Sequence, residues 1–276
     1  MIEGRFYNLK TFVIQGKMQN GNIIPAQSYG YTAIEAVEYA NWYNCEQVYD
    51  YVLLCPLIFK DFGDDHGSGY NYLTRDHIPI GSVEFVLEWL KQMKAPRRIH
   101  PLNIPVPLWH LVHRGVEMGT LSALEHKWRN GRYAKDLIHF KKDVDTTNKL
   151  DKTQYFQTEY IEEILSEWRV FVYNKEILGI RCYAGDEWVL PDKTYIEDVI
   201  KQYGYSNNPC YTLDVMVYRR IDEHTKQTLS AYRGNHYTTD IVEIHDFFAC
   251  GLYGFEDLRY LPLMWIATIN KLLDKK

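Results

Sequence analysis

Four segments in the last third of the chain place charges where strands are expected: Glu167-Trp168-Arg169, Arg181, Asp214 and Glu243-Ile244-His245-Asp246. Alternate side chains of a strand share a face, so Glu243 and His245 should point one way while Val242 and Ile244 enter a core. Asp214 sits in Tyr211-Thr212-Leu213-Asp214-Val215-Met216-Val217, where Leu213, Val215 and Val217 form the apolar face and the carboxylate occupies the other. Two acidic strands facing one space repel unless a divalent cation or a basic group lies between them. Asp214, Glu243 and His245 are therefore candidate metal ligands, with magnesium shared between carboxylates and nucleotide phosphates as the expected occupant. Imidazole suits softer ions, which brings manganese into consideration. Arg169 interrupts an otherwise apolar strand, where a charge is expensive without an anion to face it. That anion is a phosphate, a substrate carboxylate, or a neighbouring acid such as Glu167. Arg181 carries the same argument more weakly.

These residues must be held by a framework, and the apolar pattern supplies one. Strands are expected at Phe12-Val13-Ile14 and around Ile23-Ile24, joined by the turn dipeptide Asn20-Gly21. Thr32 is the expected cap of a helix over residues 33–42, and Ser82 of a second over residues 83–94, whose Phe85, Val86, Trp89, Leu90 and Met93 make one stripe. Residues 48–58 read as an apolar strand, followed by a polar, glycine-rich loop over residues 61–69. That loop is not a P-loop, because no Gly-Lys-Ser/Thr closes it. Pro96, Pro101, Pro105 and Pro107 exclude one continuous helix and suggest a domain boundary or crossover before Leu121. Further strands are expected over residues 137–142, 155–161, 168–173, 177–183, 211–218 and 241–245. A C-terminal amphipathic helix over residues 261–273 has Pro262 in its first turn.

Composition bounds the function. The 276 residues suffice for two modest domains or one large one, and 24% charged with 46% apolar residues is ordinary for a globular protein. No run of about 18 apolar residues offers a membrane span, no apolar leader segment follows Met1, and cytoplasmic residence is the default expectation. Five scattered cysteines have no spacing suited to zinc or a disulfide framework. A net charge of -5 argues against broad attraction to nucleic acid. The 23 tyrosines and seven tryptophans are available both for core packing and for stacking a base. His110 and His113 lack the acid and third ligand that a zinc pair needs.

In order along the chain stand Ile78-Pro79-Ile80-Gly81-Ser82-Val83-Glu84-Phe85, Glu167-Trp168-Arg169-Val170-Phe171-Val172, Arg181, Leu213-Asp214-Val215, Val242-Glu243-Ile244-His245-Asp246 and Gly251-Leu252-Tyr253-Gly254. This ordered set resembles the ATP-grasp ligases, in particular a small divergent branch of bacteria and their phages, over most of the chain from about Ile78. Two features depart from that family's pattern. His245 stands where an asparagine is usual, and the loop over residues 143–154 lacks the glycines that let backbone close over phosphates.

The resemblance implies an α/β (α+β) protein. An N-terminal α/β pre-ATP-grasp domain over residues 1–120 would precede an ATP-grasp domain over residues 121–276, whose two α+β lobes clasp a nucleotide. It implies ATP and Mg2+ (or Mn2+) as cofactors, with small-molecule or peptide carboxylates and amines as partners. The reaction would join a carboxylate to an amine through an acylphosphate, with a nucleotide-binding regulatory protein lacking ligase activity as the alternative. Lys141 is the expected phosphate-contacting lysine, with Lys142 the alternative because a one-residue register change exchanges their faces. Arg169 and Arg181 would complete the cationic set. Thr158-Glu159-Tyr160-Ile161 matches the hinge strand whose backbone receives the adenine edge, and Glu162 or Glu163 would take the ribose hydroxyls. On this reading, alanine at Asp214 or Glu243 removes metal-dependent ADP release and leaves the fold intact.

Overall fold

The computed structural model of the protein describes residues 9–55, 74–96, 104–120, 132–136, 153–204, 208–219 and 237–273. Two compact units share the chain: Met1–Arg98 together with Phe247–Lys276, and Ile99–Asp246. The passage from the first to the second falls inside the proline-rich interval. Both units mix helices with sheets, which is the α+β class expected. Among the described residues no helix is long and apolar enough to cross a membrane.

In the first unit, β1 (Lys10–Gln19) turns at Asn20-Gly21 into antiparallel β2 (Asn22–Pro25). Asn20 and Gly21 have φ of 52 and 79°, as a two-residue hairpin turn requires. The first half of β1 also pairs in parallel with β3 (Tyr49–Leu54) and β4 (His77–Ile80). Phe12, Val13 and Ile14 are fully buried although successive strand residues face opposite sides, so both faces of β1 are covered. Helix α1 (Ser28–Asn44) makes the crossover between parallel strands β1 and β3. It begins at Gln27, not at Thr32, because Gly30 lets the first turn pack where a Cβ would meet Pro25 at 2.8 Å. Ser82 caps α2 (Val83–Gln92) through its Oγ, which accepts from Phe85 N, and Phe85, Val86, Trp89 and Leu90 are buried as their spacing predicts. The C-terminal helix, Leu261–Leu272, brings Trp265 edge-on to Phe12.

In the second unit a four-stranded antiparallel sheet runs in the order β11 (Tyr237–Asp246), β10 (Cys210–Arg219), β8 (Ile164–Tyr173), β9 (Glu176–Gly185). One face carries Trp168, Val170, Val172, Leu213, Val215, Val217, Ile241 and Ile244 into a core. Helix α3 (Lys193–Tyr203) adds Ile196, Val199 and Ile200, and a 3-10 turn over Val106–Leu111 adds Leu108. Each such fully buried side chain contributes about 1.5–3 kcal/mol through burial. A separate sheet orders β5 (Val116–Gly119), β7 (Tyr155–Glu159) and β6 (Arg132–Asp136). The last helix, Leu261–Leu272, is numbered α4.

Candidate active site

The sheet of the second unit aligns the charged residues in a row. Arg181 on β9 lies opposite Arg169 on β8, Arg169 opposite Asp214 on β10, and Asp214 opposite Glu243 on β11. Directly opposed residues share a face, so two guanidiniums and two carboxylates cross the sheet side by side. With strands about 4.8 Å apart, the row is roughly 14 Å long. Its sequence cause is simple: in the two central strands the alternate positions facing the core are apolar, which leaves Arg169 and Asp214 on the other face.

The middle of the row is a buried ion pair. Arg169 Nε donates to Asp214 Oδ1 at 2.8 Å and Nη2 to Oδ2 at 2.7 Å, with the two residues 7% and 3% exposed. The fork geometry makes this a strong charge-assisted contact. Arg181 is half-buried and donates from Nη1 to Ile180 O at 2.9 Å.

Irregularities in the ladder surround the row. Asp214 pairs with Glu243 but Val215 pairs with Ile241, so Val242 is the extra residue of a bulge. Here the strict alternation expected for residues 242–245 fails: Ile241 and Ile244 enter the core, and Val242 is only half-buried. A bulge shifts the phase of a strand by one residue, which sequence periodicity does not register. A second bulge places Tyr183 between Ala184, paired with Glu167, and Cys182, paired with Trp168. The Tyr183 ring lies 5.9 Å from Arg169 Cζ, and its hydroxyl donates to Glu167. Burial, then the charges of Asp214 and Glu167, push the Tyr183 hydroxyl well above the usual tyrosine range, so it stays a neutral donor. Sequence reasoning missed Tyr183, and only the β8–β9 register reveals it.

His245 lies opposite Thr212, two positions along from Glu243, and is buried with Nδ1 against the backbone oxygen of Asp246. Asp214, Glu243 and His245 thus occupy neighbouring positions on one face. Among the described residues no three His, Cys, Asp or Glu side chains gather into a metal cluster. Thr158 and Glu159 end β7, the middle strand of its sheet. Glu159 N donates to Gly115 O at 2.9 Å, and Glu159 Oε2 accepts from Gly115 N at 3.2 Å. Tyr160 and Glu162 are exposed and Ile161 half-buried, while Glu163 pairs with Arg219 at 3.5 Å. Lys141, Lys142 and residues 143–152 lie outside the described residues.

A second buried pair, Arg114 with Asp240, was not expected. Arg114 Nη1 donates to Asp240 Oδ2 at 2.9 Å and to Ile241 O at 2.7 Å. Asp240 Oδ1 accepts from Ile241 N and His113 N, and the Tyr195 hydroxyl lies 3.1 Å away. The sequence signal is weak, since Asp240 follows Thr238-Thr239 at the edge of the apolar run and not within it. His113 Nδ1 meets Thr239 O at 3.0 Å, a structural use of that imidazole.

Comparison with known families gives the class. A family model of the ATP-grasp domain, family 2 of its clade, matches residues 113–263, a little over half of the chain, and the protein belongs to this family. Solved structures similar to it include the ATP-grasp ligase PsnB complexed with minimal precursor, at 9% identity over 98% of this chain and 100% of that one, TM-score 0.48. A RimK domain ATP-grasp protein from Sphaerobacter thermophilus shares 11% identity over 95% and 99% of the two chains, TM-score 0.49. Phosphoribosylglycinamide synthetase from Anaerococcus prevotii shares 12% over 98% and 78%, TM-score 0.45. No curated protein matches the sequence.

Proposed function

We propose that the protein is an ATP-dependent carboxylate–amine ligase that forms an amide through an acylphosphate, with a small-molecule or peptide acid and amine as substrates. The observation that supports this most is the Arg181, Arg169, Asp214, Glu243 row on one sheet face. Carboxylate oxygens on adjacent strands are the donors a hard cation takes, and guanidiniums beside them suit phosphate or carboxylate anions. The residues present therefore fit Mg2+ with ATP, and Mn2+ is the alternative that His245 introduces. ATP supplies the terminal phosphoryl group that activates the acid, after which the amine nitrogen attacks the carbonyl carbon and phosphate leaves.

In this reading Glu243 and Asp214, with His245, hold the metal. Arg181, Arg169 and Lys141 or Lys142 hold the polyphosphate and the acid, so that the two anions remain in line. A carboxylate oxygen carries two lone pairs, so a carboxylate is in principle able to bond a guanidinium and a metal at once. Residues 158–161 receive adenine and Glu162 the ribose. Residues 121–276 form the ATP-grasp domain, residues 1–120 the preceding α/β domain, and the chain works in the cytoplasm. Glu243→Gln and the paired change Arg169→Met/Asp214→Leu, which leaves no unpaired buried charge, are the direct tests: ADP release with Mg2+ across a panel of acids and amines should fall by about a hundredfold or more in each. Unchanged release in both variants overturns the assignment.

A second reading, a nucleotide-binding regulatory protein without ligase activity, draws on the engagement of both Asp214 oxygens by Arg169 and on His245 in the asparagine position. Calorimetry with a nonhydrolysable ATP analogue separates the two. Binding without any ADP or phosphate release across the panel favours the regulator.

A further inference from the structure

Helix α1 carries a surface that the ligase reading does not use. Tyr31, Glu35, Glu38 and Trp42 follow one another at i, i+4, i+7 and i+11, which places them on a single exposed stripe about 16 Å long. Trp42 is 72% and Tyr43 68% exposed. Tyr39 links them, its ring 5.8 Å from that of Trp42 and stacked at 6.1 Å on that of Tyr43. Two exposed rings, joined by the half-buried Tyr39, therefore stand beside two exposed carboxylates. Glu38 is held in place, since Tyr51 on β3 donates its hydroxyl to Oε1 at 3.2 Å.

The stretch of chain that carries the stripe has charges of one sign. Between Lys17 and Lys60 the chain contains no lysine, arginine or histidine, but does contain Glu35, Glu38, Glu46 and Asp50. Arg259 lies near Tyr39, and Asp257 engages it through two bonds of 3.0 and 2.8 Å. Exposed rings next to exposed carboxylates suit a cation that also brings apolar surface. A guanidinium or ammonium then gains both the acid and the ring face, and apolar side chains between the cations cover the remaining ring area.

We propose that the outer face of α1 is a docking surface for a peptide segment that alternates basic and apolar side chains. This does not depend on the ligase reading, because its readout is binding to α1 and not turnover. The test uses the full chain and a short fluorescein-labelled peptide alternating arginine with leucine, followed by fluorescence anisotropy. A second peptide carries glutamate in place of arginine. The arginine peptide should bind at low salt and weaken as salt is raised, and the glutamate peptide should not bind. Trp42→Ala/Tyr43→Ala should weaken binding about fivefold. Glu35→Lys/Glu38→Lys should reverse the preference between the two peptides. Glu197→Gln/Asp198→Asn, which removes two negative charges from the exposed face of α3, should leave binding at the parental level.

Equal binding of both peptides overturns the proposal. So does parental affinity in both α1 variants, or an equal loss in the α3 variant. A Trp42-dependent self-association in sedimentation would assign the surface to a second copy of the chain, and Trp42-dependent capture of a single-stranded oligonucleotide would assign it to nucleic acid. Either result refutes the peptide.

Discussion

Two buried arginine–aspartate pairs lie in the same unit, and their surroundings separate them. Arg114–Asp240 joins parts of the chain that no ladder connects: the stretch after the 3-10 turn, strand β11 and, through Tyr195, helix α3. Its remaining bonds go to backbone, at His113 N, Ile241 N and Ile241 O. Arg169–Asp214 joins residues already opposite each other in an antiparallel ladder, so it adds little connectivity. It sits instead between a further guanidinium and a further carboxylate, with Tyr183 near its cation. A buried charge pair is costly to desolvate. The first pair is accounted for by the elements it ties together. The second needs another reason, and the proposed ligase site at its row would provide one.

The strongest way to break this contrast is to replace both members of each pair with apolar residues of similar size. Arg114→Met/Asp240→Leu should keep turnover near the parental value, since isosteric apolar packing often substitutes for a buried pair. Arg169→Met/Asp214→Leu should remove turnover, by about a hundredfold or more, while the chain still folds. If the two double variants lose ADP release alike, the distinction between stitch and site is wrong.

Single truncation gives the next largest effect. Asp240→Ala leaves Arg114 buried without its acid and should cost about 3–5 kcal/mol in urea unfolding. Asp214→Ala should cost a similar amount for the same reason. This prediction departs from the expectation, from sequence, that alanine at Asp214 leaves the fold intact. Glu243 is half-buried and at one end of the row, so Glu243→Gln tests chemistry without that penalty. An Asp240→Ala variant as stable as the parent would show that the network does not hold α3.

Much of this framework was legible. β8, β9, β10 and β11 announce themselves because alternate positions are apolar, and Ser82 and Pro262 mark helix starts by local chemistry alone. α3 was not expected, although its signals are present: Asp192 caps it by accepting from Thr194 N and Tyr195 N, and Ile196, Val199 and Ile200 follow at helical spacing. What sequence did not contain is register. The pairing of Arg169 with Asp214, the phase shift at Val242 and the position of Tyr183 all depend on which residues face one another across strands. Those matches are set by the ladder as a whole. The grouping of Phe247–Lys276 with the N-terminal unit likewise rests on contacts such as Trp265 meeting Phe12 and Arg75 bonding Leu273 O, which no local pattern announces.

The smallest effect is the most discriminating, because each pair has an attendant tyrosine. Burial, then the charge of Asp240, pushes the Tyr195 hydroxyl above its ordinary value, and burial, then Asp214 and Glu167, does the same to Tyr183. A raised folded-state value means that the unfolded chain gives up its proton first. The stability involved is therefore complete below about pH 10 and lost as pH rises beyond it. Tyr195→Phe and Tyr183→Phe should each flatten the alkaline fall in unfolding free energy by about 1.4 kcal/mol per pH unit, the slope of one proton. Only Tyr183→Phe should also change turnover, since its hydroxyl bridges to Glu167 beside Arg169 whereas that of Tyr195 serves the stitch. Equal turnover in the two variants would reduce Tyr183 to packing, and an unchanged alkaline slope in both would remove the buried hydroxyls from the account of stability.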